Sequence, residues 1–379
     1  METSTLAQRR QFVMALLSAQ WSMSELCARF GISRPTGYKW AARYRVGGEA
    51  ALLDQSRAPH ACPHRMPAPV EALLVAARRE YGWGARKLLQ VLRTRHPTLK
   101  WPARSTVNDL FVRHALVRRR PRRRRWVHPG AGPLQTTRPN QVWPMDFKGQ
   151  FKTGDGQYCY PLTVTDHFSR SLLACRGLAS VTTAETRRVL EGVFREAGLP
   201  EAIRTDNGMP FVLPGRLRLS TLSVWWMRLG ILHQRIAPGQ PQQNGTHERM
   251  HRELKRETTR PAAATRRAQQ QRFDAFRTRY NQVRPHEALA DATPASRWQP
   301  SPRPYPERCR PPEYPAAMER RRVSGVGTIS WSGRALFLSE TLQGEDVGLE
   351  EVDDGIWNVV YYRTLLGRLD VRAGRFTRV

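Results

Sequence analysis

Asp146, Asp206 and Glu248 are three carboxylates placed in three different local settings. Asp146 lies in the short apolar and aromatic run NQVWPMDFKG. Asp206 lies in AIRTDNGMPF, where a strand should end and a Gly-containing turn begin. Glu248 lies near the start of a strongly helical segment in GQPQQNGTHERMHRELKRE. Carboxylates on two strand ends and one helix would be held rigidly enough to converge on divalent cations. Two ions about 3.5–4 Å apart stabilise both the attacking and the leaving oxygen of a phosphodiester displacement. Mg²⁺ suits such a site, because it binds through a few carboxylates plus substrate phosphate oxygens.

Neighbouring residues sort around these three. Asp166, in TVTDHFSR, reads as a strand-end residue bonding nearby backbone N–H groups rather than as a ligand. Glu253 lies five positions after Glu248 and so points away from it on a helix of 3.6 residues per turn. Arg252 and Lys255, at i+4 and i+7, share the face of Glu248, placed either to hold DNA phosphates beside the metals or to pair with neighbouring acids on the surface. His247 reads as positional. Asn207 and Gly208 should shape the turn that aims Asp206, and Asn244 and Gly245 the entry to the Glu248 helix.

Composition points to a polyanionic partner. The 379 residues include 62 Lys and Arg against 32 Asp and Glu, a formal charge of +30. Such an excess disfavours neutral or cationic partners, and arginine's planar fork suits phosphates and guanine edges. No apolar stretch approaches the roughly 20 residues of a membrane span, and METSTLAQRRQF lacks the pattern of a signal peptide. The cysteines (Cys27, Cys62, Cys159, Cys175, Cys309) are scattered and odd in number, which suggests reduced thiols and a cytoplasmic, nucleoid-associated setting. His60, Cys62 and His64 sit in a linker without a second ligand cluster, so zinc is not expected there.

The elements that must carry these residues follow from local patterning. Residues 1–55 read as a helix-turn-helix unit, with Ser33 as N-cap and Pro35 in the first turn of its last helix. Arg34, Thr36, Tyr38 and Lys39 stand near the start of that helix, which is expected to be the recognition helix. A linker (56–68) leads to a second helical unit at 69–117, whose last helix offers Arg104, Ser105, Thr106 and Asn108 to DNA. Residues 118–138 open with RRRPRRRRW. Its arginines Arg118, Arg119, Arg120, Arg122, Arg123, Arg124 and Arg125 fill seven of eight positions. They repel one another, cannot form a core, and suit sequence-blind phosphate contacts. Over 139–299, three aromatic and β-branched strands precede alternating helix and strand, with Thr182 and Glu185 as a capping box. That order indicates an α/β mixed sheet flanked by helices. A Pro-rich linker (300–317) leads to alternating segments at 318–379, read as a small all-β barrel.

The blocks WPMDFKG, LTVTDHFSR, RTDNGMPF, PGQPQQNGTHERMHRELK and YNQVRPHEAL, in that order, resemble the retroviral-integrase-type core of bacterial insertion-sequence transposases. The resemblance extends to the FGISRPTGYKW helix-turn-helix and the C-terminal strands. It implies an RNase H-like core with a DDE triad of Asp146, Asp206 and Glu248 holding two Mg²⁺ or Mn²⁺ ions. It further implies binding of terminal inverted repeats, metal-dependent cleavage and strand transfer into target DNA, and a homodimer or higher assembly on double-stranded DNA. The sequence departs in one respect. Between Asp206 and Glu248 41 residues intervene, more than the family often has, and the extra length falls in MPFVLPGRLRLST. An inactive or domesticated DNA-binding regulator and an RNase H-like nuclease without strand transfer are the competing expectations.

Overall fold

The computed structural model describes residues 5–54, 66–117, 135–237, 245–331 and 333–378. The chain divides into two compact units, Met1–Pro67 and Ala68–Val379. In the first, helices α1 (Thr5–Leu17), α2 (Met23–Arg29) and α3 (Arg34–Gly47) enclose Phe12, Val13, Leu26, Cys27, Trp40 and Leu52. The approach of α3 to α2 is close at Gly37, where an added Cβ would lie 2.6 Å from Cys27 Sγ. Ser22 and Glu25 form a reciprocal capping box on α2. Ser33 occupies the N-cap position of α3, but its hydroxyl bonds Thr36 Oγ1 at 2.9 Å rather than a backbone N–H.

The second unit begins with α4 (Ala68–Tyr81), α5 (Ala85–Arg95) and α6 (Arg104–Arg113), packed around Leu74, Leu88, Val107, Leu110 and Phe111. A mixed sheet follows, made of β1 (Val142–Phe147), β2 (Phe151–Lys152), β3 (Tyr158–Thr165), β4 (Leu172–Leu178), β5 (Ala202–Thr205) and β6 (Leu232–Arg235). Strand β3 takes β1, β2 and β4 antiparallel, while β1, β5 and β6 run parallel. This is the expected mixed sheet. One layer of helices, α7 (Thr183–Ala197) and α8 (Thr221–Arg228), seals Trp143, Met145, Leu162 and Ile203 beneath Leu190, Phe194, Trp225 and Trp226. The other, α9 (Gly245–Thr258) and α10 (Arg266–Gln282), packs Met250, Leu254, Phe273 and Phe276 against Cys159, Leu172 and Cys175.

Two expected caps and clamps take definite form. Thr182 accepts from the backbone N–H of Glu185, but the Glu185 carboxylate turns to Ser180, so the capping box is half made. Asn281, in the YNQVRPHEAL block, accepts from the Leu172 N–H at 2.8 Å and donates to the Leu172 carbonyl at 3.0 Å, closing the edge of β4. Replacing Asn281 with Ala leaves both groups of a buried residue unpaired. We expect a loss of about 1–3 kcal/mol, read by chemical denaturation; an unchanged midpoint would show that water replaces the side chain.

The C-terminal region differs from expectation. Strands β10 (Asp346–Asp353), β11 (Ile356–Tyr361), β12 (Thr364–Asp370) and β13 (Arg375–Arg378) join β7 (Glu319–Arg322) in an antiparallel sheet ordered β13-β12-β11-β10-β7. Strands β8 (Thr328–Trp331) and β9 (Arg334–Phe337) form a separate hairpin. Among the described residues these strands do not close into a barrel. Both edge strands of the larger sheet are four residues long and rich in arginine, and short charged edges resist further pairing. The sheet instead buries Val347, Leu349, Val359 and Tyr361 with Leu217, Val224 and Met227. The long interval after Asp206 thus has a structural use, because Leu217 comes from it and anchors the C-terminal sheet.

Candidate active site

Asp146 stands near the end of β1, the central strand of the mixed sheet. Asp206 follows β5, the parallel neighbour of β1. Its Oδ1 accepts from Gly208 N at 3.1 Å. A Cβ at Gly208 would come within 3.1 Å of Asp206 Oδ2, so glycine lets the turn fold back on the carboxylate. Asn207 donates to the Ile236 carbonyl at 2.9 Å, tying the same turn to the end of β6. Glu248 lies exposed in the first turn of α9, which packs against β1.

Asp206 and Glu248 both bear on Asp146 electrostatically. The Asp146 carboxyl is pushed up to about 7, first by burial, then by the negative charge of Asp206, with Glu248 adding to it. The Phe147 N–H and Lys148 pull in the opposite direction. A half-buried carboxylate crowded by two more favours a divalent cation, which would remove the repulsion.

A polar cluster under Asp146 escaped the sequence reading except for His247. Thr163 sits opposite Asp146 in the β1–β3 register. Its hydroxyl lies 3.1 Å from the Asp146 carbonyl, 2.7 Å from His247 Nε2 and 2.7 Å from His251 Nε2. Thr165 reaches His247 Nδ1 at 3.0 Å, and His251 Nδ1 lies 3.7 Å from Asp146 Oδ2. Burial drives His247 down to about 3. Burial, with His247 and Lys148 nearby, drives His251 down to about 2, so both imidazoles are neutral near pH 7. Asp146, His247 and His251 bring potential ligand atoms within 4.8 Å of one another. The signal was available as a pair of threonines at i, i+2 on a strand and a pair of histidines at i, i+4 on a helix.

The other residues singled out by sequence fall as follows. Asp166 is buried and turned away, with Oδ1 accepting from Asn140 N at 2.8 Å and Oδ2 from Ser169 N at 2.7 Å and Ser169 Oγ at 2.6 Å. Arg252 and Lys255 are exposed on α9. The neighbouring acids Glu253 and Glu257 are instead engaged by Arg256, Arg279 and Arg284. Arg34, Tyr38 and Lys39 are exposed at the start of α3, and Thr36 is half-buried. Arg104, Ser105, Thr106 and Asn108 are all exposed at the start of α6. The seven linker arginines, together with Asn244, Cys62, His60 and His64, lie outside the described residues. Cys27, Cys159, Cys175 and Cys309 are free thiols. Among the described residues no helix is long and apolar enough to cross a membrane.

Models of the integrase core domain match residues 136–241 and 229–294. A helix-turn-helix domain matches 8–60 and a homeodomain-like domain 36–111. Integrase-core models thus match across residues 136–294, with helix-turn-helix and homeodomain-like models matching ahead of them. The chain's relatives are insertion-element proteins and retroviral polyproteins. It is 29% identical over 225 residues to the insertion element IS476 uncharacterized 39.2 kDa protein of Xanthomonas euvesicatoria, covering 59% of this chain and 62% of that protein. It is 29% identical over 161 residues to the insertion element IS407 uncharacterized 31.7 kDa protein of Burkholderia multivorans, covering 41% of this chain and 54% of that one. Over 128 residues it is 32% identical to the Pol polyprotein of Radiation murine leukemia virus, 34% of this chain and 21% of the polyprotein. The chain therefore spans less than two thirds of the length of each of these relatives. A solved HTLV-2 integrase catalytic core domain in complex with magnesium is also similar, at 16% identity and a TM-score of 0.35, covering 43% of this chain and 99% of that one.

Proposed function

We propose that this protein is a DNA transposase that binds the terminal inverted repeats of an insertion sequence and catalyses DNA cleavage and strand transfer. The observation that carries the reading is the placement of Asp146 near the end of β1, Asp206 after the adjoining parallel strand β5, and Glu248 in the first turn of α9, which packs on β1. Burial first, then the charges of Asp206 and Glu248, push the Asp146 carboxyl up to about 7. Such a site invites divalent cations, Mg²⁺ or Mn²⁺, and two of them would supply an activated water and neutralise the charge that develops at phosphorus. Asp146, Asp206 and Glu248 hold the ions in place. Arg252 and Lys255 fix the adjoining phosphates from the exposed face of α9.

The N-terminal helices supply recognition. Arg34, Thr36, Tyr38 and Lys39 on α3 and Arg104, Ser105, Thr106 and Asn108 on α6 face the major groove of the element's ends. Arg118, Arg119, Arg120, Arg122, Arg123, Arg124 and Arg125 add affinity that weakens with salt. Joining two ends requires a homodimer or higher assembly on DNA.

The test is strand transfer of labelled DNA carrying the element's ends, with Mg²⁺, with a chelator, and with Asp206→Asn protein. Joined products that require both metal and Asp206 are the expected result. Cleavage without joining would point to a nuclease, and binding without chemistry to a regulator.

A further inference from the structure

We propose that His251 is a metal ligand, through Nδ1, at the ion site of Asp146, which makes that site a mixed oxygen and nitrogen site that favours Mn²⁺ over Mg²⁺. The inference rests on the reading of Asp146 as a metal-holding residue and adds a ligand to it from α9, one turn along from Glu248 on the same face of the sheet.

The argument is one of distances and protons. Asp146 Oδ2 and His251 Nδ1 are 3.7 Å apart. That is too long for a hydrogen bond, whose heavy atoms sit about 2.7–3.2 Å apart. It is short enough for one ion at about 2.0–2.2 Å from each atom to join them. Thr163 Oγ1 has a single proton to share among the Asp146 carbonyl, His247 Nε2 and His251 Nε2. Donation to either of the first two leaves His251 to donate its own Nε2–H to Thr163, with Nδ1 bare and facing Asp146. Donation to His251 would instead strand an Nδ1–H that finds no hydrogen-bond acceptor at 3.7 Å. The arrangement therefore favours the bare Nδ1. It is also the arrangement of a metal-bound imidazole, whose second N–H is fixed by an outer partner.

His247 does not share this role. Both of its ring nitrogens lie within hydrogen-bonding distance of threonine hydroxyls, Nε2 of Thr163 and Nδ1 of Thr165. It packs edge-on against His251, with ring centroids 4.5 Å apart, and so acts as a wall that sets the tilt of the ligand. The metal preference follows from ligand type. Mg²⁺ takes oxygen donors and sheds water reluctantly, whereas an imidazole raises affinity along the series in which Mn²⁺ and the later metals accept nitrogen.

The experiment uses the full-length protein with Mn²⁺ as a paramagnetic probe. Pulsed electron paramagnetic resonance of the bound ion should show a nitrogen hyperfine coupling of the imidazole type. Growth with histidine carrying the heavy nitrogen isotope should change that coupling without altering any residue, so the assignment does not depend on a variant folding. His251→Gln should abolish the coupling and weaken Mn²⁺ binding about tenfold or more, while Mg²⁺ binding changes less. A bound Mn²⁺ without nitrogen coupling in the unaltered protein, or a coupling that survives His251→Gln, would overturn the proposal, as would failure to bind Mn²⁺ at all. These readouts are separate from strand transfer. Loss of transfer in Asp206→Asn protein with no nitrogen coupling in the unaltered protein would sink the ligand and leave the transposase reading standing. A coupling in a protein that never joins DNA would do the reverse.

Discussion

Asp146→Asn protein should lose strand transfer about a thousandfold or more, yet unfold at a higher temperature than the unaltered protein in the absence of metal. The loss follows from the several kcal/mol that metal-assisted charge neutralisation contributes to a phosphoryl-transfer transition state. The gain follows from the burial of Asp146 and its crowding by like charges. A carboxyl lifted from its ordinary value of 3.8 to about 7 is a group whose ionised form the fold disfavours, at about 1.4 kcal/mol per pKa unit. With some solvent access at Asp146, whose side chain is 23% exposed, about 2–4 kcal/mol is the reasonable range. Stability and activity oppose one another here, as they do where a site must hold like charges together.

The sign can be checked against pH. Between about pH 4 and 7 the unfolded chain has released the Asp146 proton and the folded protein has kept it. The folded state then binds more protons, so stability falls as pH rises through this window and levels off above it. The asparagine variant should lack that part of the slope, and a saturating divalent ion should remove it from the unaltered protein. Calorimetric scans from pH 5 to pH 8, with and without Mn²⁺, measure both. Parallel curves for variant and unaltered protein would show that Asp146 is not strained.

How much of this was legible in the sequence depends on how local each signal is. Asp146, Asp206 and Glu248 each sit inside a run whose neighbours announce a strand end, a turn or a helix start. Asp166 was read correctly for the same reason, since two of its three partner atoms belong to Ser169, within its own turn. Thr163 and His251 were missed because their meaning lies between elements. On β3, Thr163 is one more β-branched residue of YCYPLTVT, and it becomes a hub only when α9 lays His247 and His251 across it. The C-terminal strands show a third case. Alternation identifies each strand, but closure depends on whether the edges pair, and the arginine-rich edges of β7 and β13 do not meet. The second helical unit lies in one compact unit with the core, and contacts such as Arg86 with Glu287 at 2.7 Å and Asp291 at 2.9 Å join residues some 200 positions apart, beyond the reach of local patterning.

Arg284→Ala is expected to destabilise the Ala68–Val379 unit by about 3 kcal/mol, the lower end of the range for breaking a buried ion pair. Arg284, in YNQVRPHEAL, is 93% buried, with 7% of its surface exposed. Its Nη1 donates to Glu253 Oε2 at 2.9 Å, and it lies 3.8 Å from Glu257 Oε1. The guanidinium also stands 5.7 Å from the ring centres of Trp83 and Tyr280. It therefore clasps α9 from behind and ties it to the residues leading into α5. Burial pushes the Glu253 carboxyl up, but the Arg284 bond and the charges of Arg284, Arg256 and Lys87 outweigh it and hold it below its ordinary range. Without Arg284, Glu253 keeps the partly exposed Arg256, 2.7 Å away, and the charge of Lys87, so part of the cost is recovered and the lower figure is the better one. Replacing both partners, as Arg284→Met with Glu253→Leu, removes the stranded charge and should cost less than the single change. A midpoint of thermal unfolding lower by about 5–10 °C in the single variant, with partial recovery in the double, is the expected pattern. If the double variant is the less stable of the two, the clasp acts through packing on Trp83 and Tyr280 rather than through charge. Because α9 carries Glu248 and His251 on its far side, the single variant should also bind Mn²⁺ more weakly. Such a result would link the YNQVRPHEAL block to the proposed metal site through α9.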